Sequence, residues 1–106
     1  MDFNSAKVTT NTAKYFDAIL GLAIALREHN IPFTFRNAYE GYQIVGYNPT
    51  TKESDWDVAI HDGTYGSNRG LLEGYGTPFA NEYDDVMGDL TVEDALDLIV
   101  KYYSNR

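Results

Sequence analysis

The residues that could carry chemistry in this chain are concentrated between positions 54 and 76. His61 and Asp62 are adjacent there, and a histidine beside a carboxylate can act as a general base. The chain has no cysteine, and none of its serines occurs in the glycine-flanked pattern of a nucleophile elbow. A histidine and an aspartate at the end of a strand more often serve turn geometry than catalysis. We therefore assign no catalytic residue. The alternative is a small hydrolase or metal-dependent enzyme that uses His61 with Asp55, Asp57 or Asp62.

Asp55 and Asp57 raise the question of a metal site. On a strand their side chains point to the same side, about 7 Å apart along the chain, so they could share an ion. His61 points the same way but lies roughly 13 Å from Asp57 on a straight strand, so one ion cannot reach both unless the strand bends. The lack of cysteine also excludes disulfides and thiolate ligands. We expect a solvated polar face of a sheet, with no metal and no cofactor.

Glycine punctuates the loop that follows this strand, at positions 63, 66 and 70. The loop lacks the Gly-Lys-Ser/Thr ending of a phosphate-binding loop, and it does not open a helix. Arg69 is its only basic residue. We expect it to be structural or to present Tyr65 and Arg69 to a partner, because loops on rigid scaffolds often carry recognition.

Charge is distributed unevenly along the chain. The net charge is −8, from 16 acidic and 8 basic residues. Residues 70–100 contain no lysine or arginine and eight acids: Glu73, Glu82, Asp84, Asp85, Asp89, Glu93, Asp94 and Asp97. Direct nucleic-acid binding is disfavoured because it needs a basic footprint. The acidic third favours a partner protein with a basic nucleic-acid-binding surface, although acidity can also serve solubility alone.

Tyrosine is abundant, with nine residues in 106. Six of them fall in predicted loops and strand ends, where tyrosine gives a large contact area at low entropic cost: Tyr39, Tyr42, Tyr47, Tyr65, Tyr75 and Tyr83. Packing at the edges of a small sheet is the other interpretation. Combining charge and tyrosines, we predict these partner-binding residues: Tyr65, Arg69, Glu73, Tyr75, Glu82, Tyr83, Asp84, Asp85 and Asp89.

Two helices are predicted to flank the strands. The first begins near Asn11 or Thr12 and ends at about His29, before Pro32, with an apolar line formed by Tyr15, Ile19, Leu22 and Leu26. Its small residues Ala18, Gly21 and Ala25 predict close approach of the second helix or, failing that, a symmetric dimer contact. The second helix is predicted to start at Thr91, with Asp94 completing a capping box.

Alternating apolar residues predict strands over residues 31–36, 42–47 and 56–61, with a shorter fourth strand at 71–75. Residues 77–89 are expected to be irregular or a short helix. The predicted fold is α+β, in the order α-β-β-β-(β)-α. An antiparallel three- to four-stranded sheet carries both helices on one face.

The chain is expected to form a single domain over residues 1–106, with residues 1–11 as a short polar arm. The arm does not resemble a signal peptide, and the longest uncharged apolar run, residues 18–26, is too short to span a bilayer. A cytoplasmic monomer or weak homodimer is the expectation.

Residues 57–76 and 86–103 together resemble small proteins encoded by bacteriophages and prophages of Gram-positive and gut bacteria. In that family a strand leads into a Gly-Ser/Thr-Tyr-Gly loop, then Gly-Leu-Leu-Glu, then a capped final helix. The matching positions are Gly63, Thr64, Tyr65, Gly66, Gly70, Leu71, Leu72, Glu73, Gly88, Leu90, Thr91 and Glu93.

The resemblance brings no established chemistry, but it implies an accessory phage gene acting in the host bacterial cytoplasm. Phage genes that encode small acidic proteins often counter host defences. The resemblance therefore implies an inhibitor of the anti-CRISPR type. Such a protein would present carboxylates and tyrosines to the nucleic-acid-binding surface of a CRISPR-Cas effector nuclease. A phage structural or regulatory module is the remaining alternative.

Overall fold

The computed structural model describes residues 13–104, which fold as a helix, five strands and a second helix. The helices are α1, Ala13–Glu28, and α2, Val92–Ser104. The strands are β1, Phe33–Ala38; β2, Gly41–Tyr47; β3, Ser54–Ile60; β4, Leu72–Gly76; and β5, Val86–Leu90. Single 3₁₀ turns occur at Ser67–Arg69 and Thr77–Phe79. The predicted N-terminal arm and the predicted helix start at Asn11 or Thr12 lie outside the described residues.

The five strands form one antiparallel meander in the order β1-β2-β3-β4-β5, which confirms the α+β class. The predicted count of three to four strands is too low, because β5 lies where an irregular segment or a short helix was expected. The pairing of β4 with β5 shifts register between Leu72 and Gly74, and Asp89 has a left-handed φ of 57°. A bulge of this kind interrupts the period-two alternation by which a strand is recognised.

The core lies between the helices and one face of the sheet. Alternate strand residues point into it and are buried, among them Phe35, Ile44 and Val58. Both helices contribute to the same cluster, α1 through its predicted apolar line and α2 through Ala95 and Ile99. The intervening strand residues are half-buried or exposed, so the opposite face of the sheet is open. No helix within residues 13–104 is long and apolar enough to cross a membrane.

The end of α1 follows from local chemistry. Asn30 adopts a left-handed φ of 58°, and its N–H donates to the carbonyl of Arg27 at 3.0 Å. The N–H of Ile31 donates to the carbonyl of Leu26, also at 3.0 Å. These two bonds are a Schellman motif, in which asparagine takes the position that glycine usually occupies.

The two helices are in contact through the small-residue side of α1. A Cβ atom added at Gly21 would lie 3.7 Å from Cγ2 of Val92, at the start of α2. Helix α1 therefore touches both the sheet and α2, which is the first of the two arrangements predicted for it.

Two tyrosines near the end of α2 fix this helix to the sheet; we call them the tyrosine latch. The Tyr102 hydroxyl donates to Oδ2 of Asp55 at the start of β3. The Tyr103 hydroxyl donates to the carbonyl of Tyr47 and accepts the indole N–H of Trp56 at 3.0 Å. The latch thus joins α2 to the β2–β3 hairpin.

Candidate functional site on the open face of the sheet

The strand register places two rows of side chains across the open face. In one row Ala59 of β3 lies between Gln43 of β2 and Glu73 of β4. In the other row Asp57 lies directly opposite Tyr75. Opposed side chains on one face have Cβ atoms about 4.5–5.5 Å apart, so the two rows form one continuous surface.

Two shallow depressions meet on this surface at Gln43, Asp57 and Tyr75. Their volumes are about 230 and 220 Å³. The first extends towards Arg36, and the second extends over Ala59 towards Tyr39 and His61. Pockets for drug-sized ligands are usually larger, about 300–1,000 Å³. Each depression therefore suits a single side chain better than a whole ligand.

Asp57 is a half-buried acid of the open face. Burial raises the pKa of its carboxyl group above the ordinary value, and the negative charge of Glu73 acts in the same direction. A hydrogen bond from Gln43 and the positive charge of Arg36 oppose the increase in pKa. Arg36 is itself held on this face, because its Nε donates to Oε1 of Gln43 at 2.8 Å.

The glycine loop folds back onto β4 and β5. Gly66 and Gly70 adopt left-handed φ values of 85° and 72°, which the reversal of the chain requires. The N–H of Tyr65 donates to Oε2 of Glu73 at 3.0 Å. The Tyr65 side chain covers Gly88, where an added Cβ would lie 2.6 Å from the tyrosine Cβ. Tyr65 is nevertheless 68% exposed.

An ion pair ties the same loop to the bulge of β5. Nη2 of Arg69 lies 2.6 Å from Oδ1 of Asp89, and both side chains are more than half exposed. The predicted partner-binding residues Tyr65, Arg69, Glu73 and Asp89 therefore lie together at one end of β4 and β5. Glu73, Arg69 and Asp89 already have partners there.

The other predicted acids lie at the opposite end of β5, in the turn before it. Oδ1 of Asn81 accepts the N–H groups of Tyr83 and Asp84, and Oδ1 of Asp84 accepts the N–H of Val86 at 3.1 Å. Asp84 thus holds the turn. Tyr83 is 90% exposed, and Glu82 and Asp85 are also exposed.

Helix α2 adds acids beside β5. The predicted capping box is present: the N–H of Asp94 donates to Oγ1 of Thr91 at 3.0 Å, and the N–H of Thr91 donates to Oδ2 of Asp94 at 3.2 Å. Asp94 and Asp97 border a groove whose apolar walls are Met87, Leu90 and Leu98. The nine predicted residues thus lie in the glycine loop, on β4, in the turn before β5 and on β5, and α2 contributes further acids.

The residues of the enzymatic alternative have separate partners. Nδ1 of His61 accepts the N–H of Gly63 at 3.0 Å, and the imidazole packs against the Tyr39 ring, with centroids 5.2 Å apart. The Asp62 carboxylate accepts the hydroxyl of Tyr15 in α1.

The candidate metal ligand Asp55 is also engaged, because it accepts the hydroxyls of Tyr102 and Thr77. Among residues 13–104 there is no group of three or more histidine, cysteine or acidic side chains placed to hold a metal ion. Among the described residues neither Asp55 nor Asp62 forms a hydrogen bond with His61, whereas Asp57 lines the same depression as His61.

Several residues of the open face were not singled out from the sequence. Gln43, Arg36 and Ala59 carry no recognisable motif, and only the strand register shows that they adjoin Asp57. The alternation in β2 does place Gln43 on the outward side, which was the available signal. Tyr102 and Tyr103 gave no signal beyond helical spacing.

The comparisons with known proteins returned nothing: no protein-family model, curated protein or solved structure matches this chain.

Proposed function

We propose that this protein is a non-enzymatic binding module whose acidic edge occupies the basic nucleic-acid-binding surface of a partner protein. One observation carries the proposal. The carboxylates of Glu82 and Asp85, in the turn before β5, and of Glu93 and Asp97, on α2, are exposed, and within residues 13–104 their side chains have no hydrogen bond or ion pair. The free charge of this edge is therefore available to a basic partner.

Charge of this kind suits competition with nucleic acid. A protein that binds DNA or RNA does so largely through lysine and arginine side chains that neutralise phosphates. Carboxylates fixed on a folded surface can pair with the same cations, and charge complementarity speeds the encounter. The inhibitor and the nucleic acid then exclude each other from the basic surface, and raising the salt concentration weakens the binding of both.

The partner class we propose is a host defence protein, and specifically a CRISPR-Cas effector nuclease in the bacterial cytoplasm. The resemblance of residues 57–76 and 86–103 to phage and prophage proteins supports this choice. The exposed tyrosines Tyr65, Tyr75 and Tyr83 supply contact area beside the carboxylates. The module acts as a monomer or weak homodimer.

The test is a plasmid-interference assay against a panel of CRISPR systems, followed by cleavage assays with the purified effector that responds. The variant Glu82→Lys/Asp85→Lys/Asp97→Lys reverses three exposed acids that hold no turn or cap. We exclude Asp84 and Asp89, because one holds a turn and the other pairs with Arg69. At low salt we expect at least about a tenfold loss of inhibitory potency, since each unfavourable charge contact costs energy.

A matched control carries the same change in net charge elsewhere. Asp17→Lys/Glu28→Lys/Glu53→Lys reverses three exposed acids on α1 and on the turn before β3. We expect it to inhibit like the unmodified protein. Equal potency of the two triple variants would refute the acidic edge as the binding surface. If the protein inhibits no CRISPR system of the panel, the proposed partner class is refuted.

A further inference from the structure

Ala59 lies in the middle of the second depression on the open face, between Gln43 and Glu73 across the strands. Rings surround it, because Tyr39, His61 and Tyr75 all line the same depression. Asp57 and Glu73 supply carboxylates at its border. The depression thus combines a small apolar centre, aromatic walls and negative charge, which together favour a cationic side chain.

The strand register narrows the choice of cation. Asp57 and Tyr75 lie directly opposite each other on β3 and β4, so a carboxylate and an aromatic ring are immediate neighbours. A guanidinium group can satisfy both at once, because its planar fork pairs with a carboxylate while its face stacks on a ring. An ammonium group acts as a point charge and uses this geometry less completely.

We propose that this depression receives an arginine side chain of a partner protein, with the guanidinium group paired to Asp57 and stacked on Tyr75. The inference rests on the proposed function for the basic character of the partner, and it places a second contact on the open face beside the acidic edge. Arginine and tyrosine are, together with tryptophan, the residues enriched among binding hot spots.

Asp57 is the carboxylate that takes the guanidinium, because it lies directly opposite Tyr75, whereas Glu73 lies opposite Ala59. Glu73 already accepts the N–H of Tyr65. Asp57 has its hydrogen bond with Gln43, and an ionised carboxylate has roughly four acceptor sites. Arg36 donates to Gln43 and its positive charge acts on Asp57, but it does not line this depression.

The experiment is an NMR titration of the protein at pH 7.5, followed in ¹H–¹⁵N spectra. The probes are N-acetyl-arginine amide, N-acetyl-lysine amide and N-acetyl-citrulline amide; citrulline matches arginine in shape but is uncharged. We expect saturable shifts for Asp57, Ala59 and Tyr75 with arginine, weaker shifts with lysine and none with citrulline. Equal shifts with citrulline or with lysine, or shifts centred elsewhere, would overturn the proposal.

Two variants test the site and a third is the control. Asp57→Asn removes the charge at nearly constant shape and should weaken arginine binding at least about tenfold, as expected for a lost charge-assisted hydrogen bond. Ala59→Leu fills the middle of the depression and should abolish binding, while Glu53→Gln, on the turn before β3, should change nothing. Unchanged binding in Asp57→Asn or Ala59→Leu contradicts the site.

The titration uses no nuclease, so its result is independent of the inhibition assay. If arginine fails to bind while the acidic-edge reversal still abolishes inhibition, the arginine site is refuted and the proposed function stands. If arginine binds as expected but the protein inhibits no nuclease, the site stands and the proposed partner class is refuted.

Discussion

The indole N–H of Trp56 donates a hydrogen bond to the hydroxyl of Tyr103, 3.0 Å away, and this bond connects the centre of the sheet to the end of the last helix. Trp56 is only 2% exposed, so its single polar atom depends on this partner. The same hydroxyl donates to the carbonyl of Tyr47. One oxygen atom therefore satisfies two groups of the β2–β3 hairpin.

Replacing Tyr103 by phenylalanine should accordingly destabilise the protein. The change leaves the indole N–H buried without an acceptor, which costs about 1–3 kcal/mol of unfolding free energy. Urea denaturation followed by circular dichroism measures the loss. Tyr83→Phe is the matched control, since Tyr83 is 90% exposed, and it should stay within about 0.5 kcal/mol. Equal stability of the two variants would show that the latch contributes nothing.

A second prediction concerns pH. Burial raises the pKa of Asp57 above 3.8, so the folded state binds this proton more readily than the unfolded state does. The contribution of Asp57 to stability is therefore greatest below pH 3.8 and decreases as the pH rises through the elevated pKa. We expect Asp57→Asn to be more stable than the unmodified protein at pH 7, with the difference shrinking towards pH 4. A difference that grew on acidification would contradict the raised pKa.

Gly21 offers a stabilising substitution. An added methyl group would make ordinary contact with Val92 at 3.7 Å, and alanine is favoured over glycine inside a helix by up to about 1 kcal/mol. Thermal unfolding of Gly21→Ala should show a higher midpoint. The contrasting variant is Gly46→Ala, because Gly46 lies directly beneath the Trp56 indole and an added methyl group would overlap it. We expect that variant to lose about 1–3 kcal/mol or more.

The capping box of α2 gives the fourth prediction. Thr91→Ala removes the acceptor for the N–H of Asp94 and should cost about 1 kcal/mol. Asp94→Ala should cost a similar amount, and the double variant should cost less than the sum, because the two residues bond to each other. Asp97→Ala, an exposed change on the same helix, serves as the control for helix propensity. Strict additivity would show that the two bonds act independently.

The elements that were predicted correctly are those with local causes. Thr91 and Asp94 lie three residues apart, and Asn30 lies directly before Ile31 and Pro32. The start of α2 and the end of α1 could therefore be located from neighbouring residues. Strand β5 was missed because its identity depends on pairing with β4 rather than on its own pattern. Gly88 and the left-handed Asp89 interrupt its alternation, and the bulge that tolerates them is a property of two strands.

The same reasoning explains what the sequence indicated about the site. Acidic and aromatic composition singled out Glu73 and Tyr75, because the residue type alone indicates what these side chains can bind. Gln43 and Ala59 have no such signature, and they join Glu73 only through the registers of two strand pairs. A row of side chains across a sheet combines residues far apart in the chain, and no single-sequence pattern reports it.

The tyrosine latch also has a consequence for how the protein is made. Each of its hydrogen bonds joins two residues that are separated by 47 or 56 positions in the sequence. Its two hydroxyls belong to Tyr102 and Tyr103. During synthesis the β2–β3 hairpin leaves the ribosome long before these tyrosines do, and domains fold as units once their parts are present. Until then the indole N–H of Trp56 lacks the acceptor that it has in the folded protein. We therefore expect the first three strands to reach their full stability only after α2 has been synthesised and has packed against them.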